Sequence, residues 1–151
     1  MKADAFEEDE PPEHVRFAAY LHVLEQVTDD ELSLVAEILT DPDPEMAQSA
    51  VVRYLEWRAV DLIDSPRYPS WSRAMVSVVE GRPFLVQRLH EWSLFRAAAL
   101  AHRWDPSALT ESSEWLQRRI VENLDSSDAL TVLAESGRTI RVRTTAKTKL
   151  T

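Results

Sequence analysis

The stretch DPDPEMAQSAVVRYL, Asp41 to Leu55, decides how the rest of the chain is read. Its two Asp-Pro steps interrupt whatever precedes them, because proline disfavours helical backbone in the residue before it. Asp43 is then placed to cap a new helix. Pro44 falls at the first helical position, where its missing donor costs nothing. Met46, Ala50, Val51, Tyr54 and Leu55 follow at three- and four-residue spacing, an apolar stripe of helical period. The helix is expected to reach about Ile63, where DSPRYPS (64–70) breaks it.

The same grammar extends in both directions. Upstream, EHVRFAAYLHVLEQV (13–27) is striped by Phe17, Tyr20, Leu21, Leu24 and Val27. Thr28-Asp29-Asp30-Glu31 reads as a capping box opening a helix over 31–39. Residues 1–12, acidic and closed by Pro11-Pro12, read as a disordered tail. Downstream, Ser70 is a cap for 71–80, Gly81 a left-handed stop and Pro83 the start of 83–103. Asp105-Pro106 repeats the cap-plus-proline start for 106–124. Ser126 or Ser127 caps 128–136, Gly137 ends it, and 138–151 closes the chain as a helix. The expectation is an all-α compact bundle of about eight helices, a single domain over 13–151, with short links that favour antiparallel neighbours.

Composition narrows the chemistry. There is no cysteine, which removes disulfides, thiolate catalysis and cysteine-based zinc sites. Two isolated glycines, Gly81 and Gly137, cannot form a phosphate-cradling loop. The acidic N-terminus is not a secretory signal, and no apolar run approaches the ~20 residues of a spanning helix. The expected setting is cytoplasmic, with no membrane association. Charge is uneven: residues 1–66 hold 17 acidic and 4 basic side chains, net −13, and residues 67–151 hold 9 and 13, net +4. Arg outnumbers Lys by 14 to 3, as in GC-rich bacterial genes.

LVAEILTDPDPEMAQSAVVRYL (34–55) resembles a HEAT-type helical repeat. In that family a first helix ends at an Asp-Pro turn, and the second carries an apolar residue with an alanine four positions on, here Met46 and Ala50. ALTVLAESGRTIRVRTTAKTKL (129–150) resembles a second, degenerate unit, with Leu133 matching Leu39 and Val142 and Ala146 in the paired positions. Its turn is longer and lacks Asp-Pro. Arg143 follows the apolar residue, as is common in the family, whereas the first unit has Ala47. The resemblance covers about a third of the chain and implies HEAT-like helix pairs that pack closely through alanine.

Candidate chemistry is sparse. His22 and Glu25 share a helix face as a metal pair would, which raises a metal-dependent bundle enzyme as one alternative. A second such pair is missing, and neither a metal nor another cofactor is expected. No G-x-S-x-G elbow occurs. Paired acids such as Asp29-Asp30-Glu31 stand at a helix start, where they complement its dipole. Tryptophans 57, 92 and 115, each preceded by Glu, are read as core or core-rim residues; Trp71 and Trp104, beside loops, are read as partner anchors. Asp41, Asp43 and Glu45 are the acidic part of the same expected partner surface. Arg138, Arg141, Arg143, Lys147 and Lys149 form the alternative, a nucleic-acid-binding tail, which the net charge of −9 opposes. The leading expectation is a non-enzymatic interaction module, an adaptor, regulator or immunity-type inhibitor, whose partner is a protein with a basic surface.

Overall fold

The computed structural model describes residues 12–151; the expected tail, apart from Pro12, lies outside them. Among the described residues there are nine helices and no strand: α1 (Glu13–Gln26), α2 (Glu31–Ile38), α3 (Pro44–Asp61), α4 (Tyr68–Val78), α5 (Pro83–Ala99), α6 (Pro106–Glu111), α7 (Glu114–Asn123), α8 (Ser127–Ser136) and α9 (Ile140–Leu150). None is long and apolar enough to cross a membrane. The all-α expectation therefore stands, with one helix more than expected. The contacts fall into two compact units, Met1–Val86 and Gln87–Thr151, dividing within α5.

Local punctuation explains most of the boundaries. Asp43 caps α3, accepting from the Met46 amide at 3.1 Å, and Pro44 opens the helix. Asp105 caps α6 in the same way, and Ser126 and Thr139 cap α8 and α9. Gly81 takes the left-handed conformation expected of it, φ 89°.

Four boundaries depart from the sequence reading. First, Thr28–Glu31 makes no capping box: Asp30 precedes α2 in left-handed backbone, φ 57°, without a side-chain cap bond. Second, α4 begins at Tyr68 with Pro69 in its first turn, so Ser70 lies inside the helix and its hydroxyl returns to the Arg67 carbonyl. Third, α5 stops at Ala99 rather than 103, and Ala101 sits at φ 59°, a conformation rare outside glycine. Fourth, 106–124 is two helices, because Ser112 and Ser113 are extended, with ψ of 167° and 160°.

In the first unit, α1 and α3 run in the same direction, with Arg53 of α3 over the Phe17 ring of α1 at 5.9 Å. Leu24, Val35, Ile38, Ala47, Ala50, Val51, Leu55 and Met75 are buried in this unit. In the second unit α8 and α9 pair most closely. Leu109, Leu116, Ile120, Leu130, Leu133, Val142 and Ala146 share its core. Gly137 lies where these helices turn: a Cβ there would stand 2.7 Å from both the Leu133 carbonyl and Val142 Cγ1. Met46, Ala50, Val142 and Ala146, the positions singled out in the sequence, are all buried.

Candidate functional site

Two polar braces organise the first unit. Glu31, the first residue of α2, turns inward rather than capping its own helix. Its Oε1 accepts from Tyr54 Oη at 2.6 Å, Arg58 Nε at 3.0 Å and Trp71 Nε1 at 3.2 Å, and Oε2 accepts from Arg58 Nη2 at 3.1 Å. One carboxylate thus ties α2 to α3 and α4. Burial alone would raise its pKa, but the bonds from Arg58 and then Tyr54 outweigh that and hold it below the ordinary value. Burial and the same hydrogen bond push the Tyr54 phenol well up; the Glu31 bond likewise raises Arg58. All three shifts move away from neutrality, so this cluster does not exchange protons near pH 7. It is a brace rather than an acid–base centre.

The second brace is Asp41, whose side chain is 2% exposed. Its carboxylate accepts from Arg16 Nε at 3.0 Å and Nη2 at 3.1 Å, from Tyr20 Oη, and from the Asp43 amide at 2.8 Å. The Arg16 bonds lead in lowering its pKa to about 2, against burial that opposes them. The same contact raises the Tyr20 phenol. Asp41 therefore fixes α1 against the Asp-Pro turn, and it is not a free surface charge.

The acids that remain outside are grouped. Glu13, at the start of α1, meets Asp43 at the start of α3. A hydrogen bond shared with Asp43, then the charge of Asp43, push the Glu13 carboxyl up from its ordinary value, and Glu45 adds to this. Glu13 and Glu45 are exposed and Asp43 is half-buried. At the far end of α1 and α3 an open cleft of about 720 Å³ has Leu24, Val27, Trp57 and Leu62 among its apolar lining, with Glu25 and Asp61 also lining it. Glu31 and Arg58 line both this cleft and a smaller one of about 220 Å³ that reaches Trp71.

The second unit uses its polar groups internally. Glu91, 5% exposed, accepts from the Ser113 amide and hydroxyl, each at 2.8 Å, and so holds the extended link between α6 and α7. Gln117 is fully buried; its Nε2 donates to the Leu109 carbonyl at 2.9 Å, and its Oε1 accepts from the Arg138 amide at 2.8 Å. Two guanidinium groups lie over the Trp115 ring, Arg88 at 3.8 Å and Arg119 at 5.6 Å from its centre.

The expected site residues meet different fates. Asp43 and Glu45 come together, joined by Glu13, which the sequence reading did not single out. Asp41 and Trp71 correct the expectation of an exposed partner surface: Asp41 is enclosed by Arg16 and Tyr20, and Trp71 is 7% exposed with its indole N–H on Glu31. Trp104 is half-buried in the second unit, beside an open cleft of about 570 Å³ shared with His102, Arg103 and Asp128. In the basic tail, Arg138 donates to the Ser112 and Glu111 carbonyls, Arg143 to the Gly137 carbonyl and Lys149 to the Leu124 carbonyl. Arg141 and Lys147 alone of the five make no bond among the described residues. No group of three or more metal-ligating side chains occurs among the described residues, and His22 and Glu25 are both exposed on α1. Comparison with protein-family models, curated proteins and solved structures finds no match to this chain.

Proposed function

We propose that the chain is a non-enzymatic interaction module whose first unit binds a protein with a basic surface, in the manner of an adaptor, regulator or immunity-type inhibitor. The observation that carries this reading is the Glu13–Asp43–Glu45 cluster. The hydrogen bond with Asp43 is the first cause of the raised Glu13 pKa, and the repulsion of the neighbouring carboxylates Asp43 and Glu45 adds to it. A cationic partner would relieve that repulsion and would be steered in by the unit's excess negative charge. The internal use of Glu31 and Asp41 supports the same reading, since these best-formed polar clusters act as braces between helices. The dispersal of Arg138, Arg143 and Lys149 onto helix-end carbonyls counts against a phosphate-binding tail. The HEAT-like reading of the two helix pairs remains our proposal as well, supported by the buried Met46/Ala50 and Val142/Ala146 positions.

The test is to identify a captured partner, purify it and measure binding by calorimetry at low and high salt. Glu13→Gln/Glu45→Gln, which spares the Asp43 cap, is expected to weaken binding about tenfold, in line with two lost charge contacts. A partner whose affinity ignores both salt and this double substitution would refute the reading.

A further inference from the structure

Helix α1 is apolar on two sides. Its inner side carries Phe17, Tyr20, Leu21 and Leu24, all half-buried or buried. Its outer side carries Val15, Ala18, Ala19, His22 and Val23, all exposed, with Val15 at 46% and Val23 at 42%. These outer positions recur at three- and four-residue spacing and form one continuous stripe along about two and a half turns. Local preference does not account for it: valine is a poorer helix former than Lys, Glu or Gln, which exposed helix positions accept at no cost. The two central alanines remove bulk where another helix would cross, and small contact residues allow the shortest interaxial distances. The helix is also held firmly, by Arg16 and Tyr20 on Asp41 and by the stacking of Arg53 on Phe17. A rigid, preformed face binds without an ordering cost.

The charges around the stripe say what covers it. Glu13, with Asp43 and Glu45, stands at its N-terminal end. Glu25 lies at its C-terminal end, followed by the exposed Asp29 and Asp30. We infer that the outer face of α1 docks an amphipathic helix of a partner protein, one with an apolar stripe of small and aliphatic residues and with Lys or Arg at both ends. A second copy of this chain is the poorer fit, because the first unit is strongly acidic and α1 paired on α1 would set carboxylates against carboxylates. The inference rests on the interaction-module reading and names the surface and chemistry of the partner.

The probe is a synthetic helical peptide matched to the 14 residues of α1, with Leu and Ala at the i, i+3, i+4, i+7 positions and Lys elsewhere. Two controls replace its Lys by Glu, or its stripe by Gln. Binding is read by fluorescence anisotropy, and its place by amide shift changes in the full chain. The Lys peptide alone is expected to bind, with the largest shifts over residues 15–23. Val15→Ser/Val23→Ser is expected to weaken it about tenfold, as two part-exposed valines imply. Ala19→Gln, which keeps helix propensity and blocks close approach, is expected to do the same. All these positions are exposed, so melting temperature should hold. Equal binding by these variants, binding of the Glu peptide as well, or self-association that depends on Val15 and Val23 overturns the inference. If a captured partner loses affinity with Glu13→Gln/Glu45→Gln and ignores Val15→Ser/Val23→Ser, the docking face is wrong and the module reading survives. If it ignores both, the module reading fails too.

Discussion

Replacing Glu31 by Ala removes the acceptor for three side chains on two other helices. Arg58 loses two charge-assisted bonds, Tyr54 one and Trp71 one. Breaking a fully buried ion pair costs about 3–5 kcal/mol, and breaking an exposed one less than about 1. Glu31 and Arg58 are each 23% exposed at the side chain, so water reaches the guanidinium in part, and Asp61 at 3.4 Å offers it a weak substitute. Tyr54, by contrast, is 3% exposed and Trp71 7%, so their donors are left largely unsatisfied. The sum is about 3 kcal/mol, roughly 12–24 °C in melting temperature for a unit of this size. Glu31→Gln retains an acceptor for Tyr54 and Trp71 while losing the charge, and should cost about half as much. Denaturant titration followed by tryptophan fluorescence measures both. A cycle with Arg58→Met, expected to cost about 2 kcal/mol alone, then isolates the pair: the double variant should be little worse than Glu31→Ala, a coupling of about 1.5–2 kcal/mol. If Glu31→Ala stays within about 1 kcal/mol of the parent, or if the two losses simply add, the brace is not what joins these helices.

The acid limb of stability should belong largely to Asp41. Its folded pKa of about 2 lies below the ordinary 3.8, so its stabilisation is complete above about pH 5 and is lost as pH falls from about 4 toward 2; Glu31, also lowered, acts in the same direction. Denaturation midpoints from pH 7 to 2.5 should show this loss, and Asp41→Asn should flatten it; an unchanged acid limb in the variant would sink the assignment. Gly137→Ala should destabilise by about 2 kcal/mol through overpacking against Leu133 and Val142, whereas Gly81→Ala, strained at φ 89° but facing open space, should cost about 1 kcal/mol; equal costs in melting experiments would contradict this. Gln117→Leu strands the Arg138 amide, while the Leu109 carbonyl keeps its bonds from the Ser112 amide and hydroxyl, and should cost about 1–2 kcal/mol with faster hydrogen exchange at Arg138.

What the sequence made legible was local. Asp43-Pro44, Asp105-Pro106, Ser126 and Gly81 act through bonds and torsions within a few residues, so their meaning is written beside them. The misread positions answer to distant partners. Glu31 looks like half of a capping box until Arg58, 27 residues on, draws it inward. Ser112-Ser113 looks like ordinary helix interior until Glu91, 22 residues earlier, accepts both bonds that Ser113 offers. Asp41 looks like a surface acid alongside Asp43 and Glu45, yet Arg16 and Tyr20 enclose it. The candidate site was half-visible for the same reason: Asp43 and Glu45 are adjacent to the turn that drew attention to them, whereas Glu13 joins them only through the parallel packing of α1 and α3.

That packing also changes what the charge count means. Of the four basic residues in 1–66, Arg16 and Arg58 are both committed to the enclosed acids Asp41 and Glu31, and Arg53 lies over the Phe17 ring. The two pairs cancel without altering the net charge, but they withdraw cations from the surface. What faces water is therefore more uniformly negative than composition alone implies. Paired charges inside hold the helices in place, and unpaired ones outside set the long-range field. A variant that reverses this allocation separates the two roles: Glu31→Gln/Arg58→Met removes one charge of each sign from a brace and leaves the external field nearly intact. It should lower stability while preserving the salt dependence of partner association. Glu13→Gln/Glu45→Gln should reduce that salt dependence while leaving stability unchanged or improved, since it removes repulsion. Parallel effects of the two variants on both measurements would mean that brace and binding face are one feature and that no such division exists.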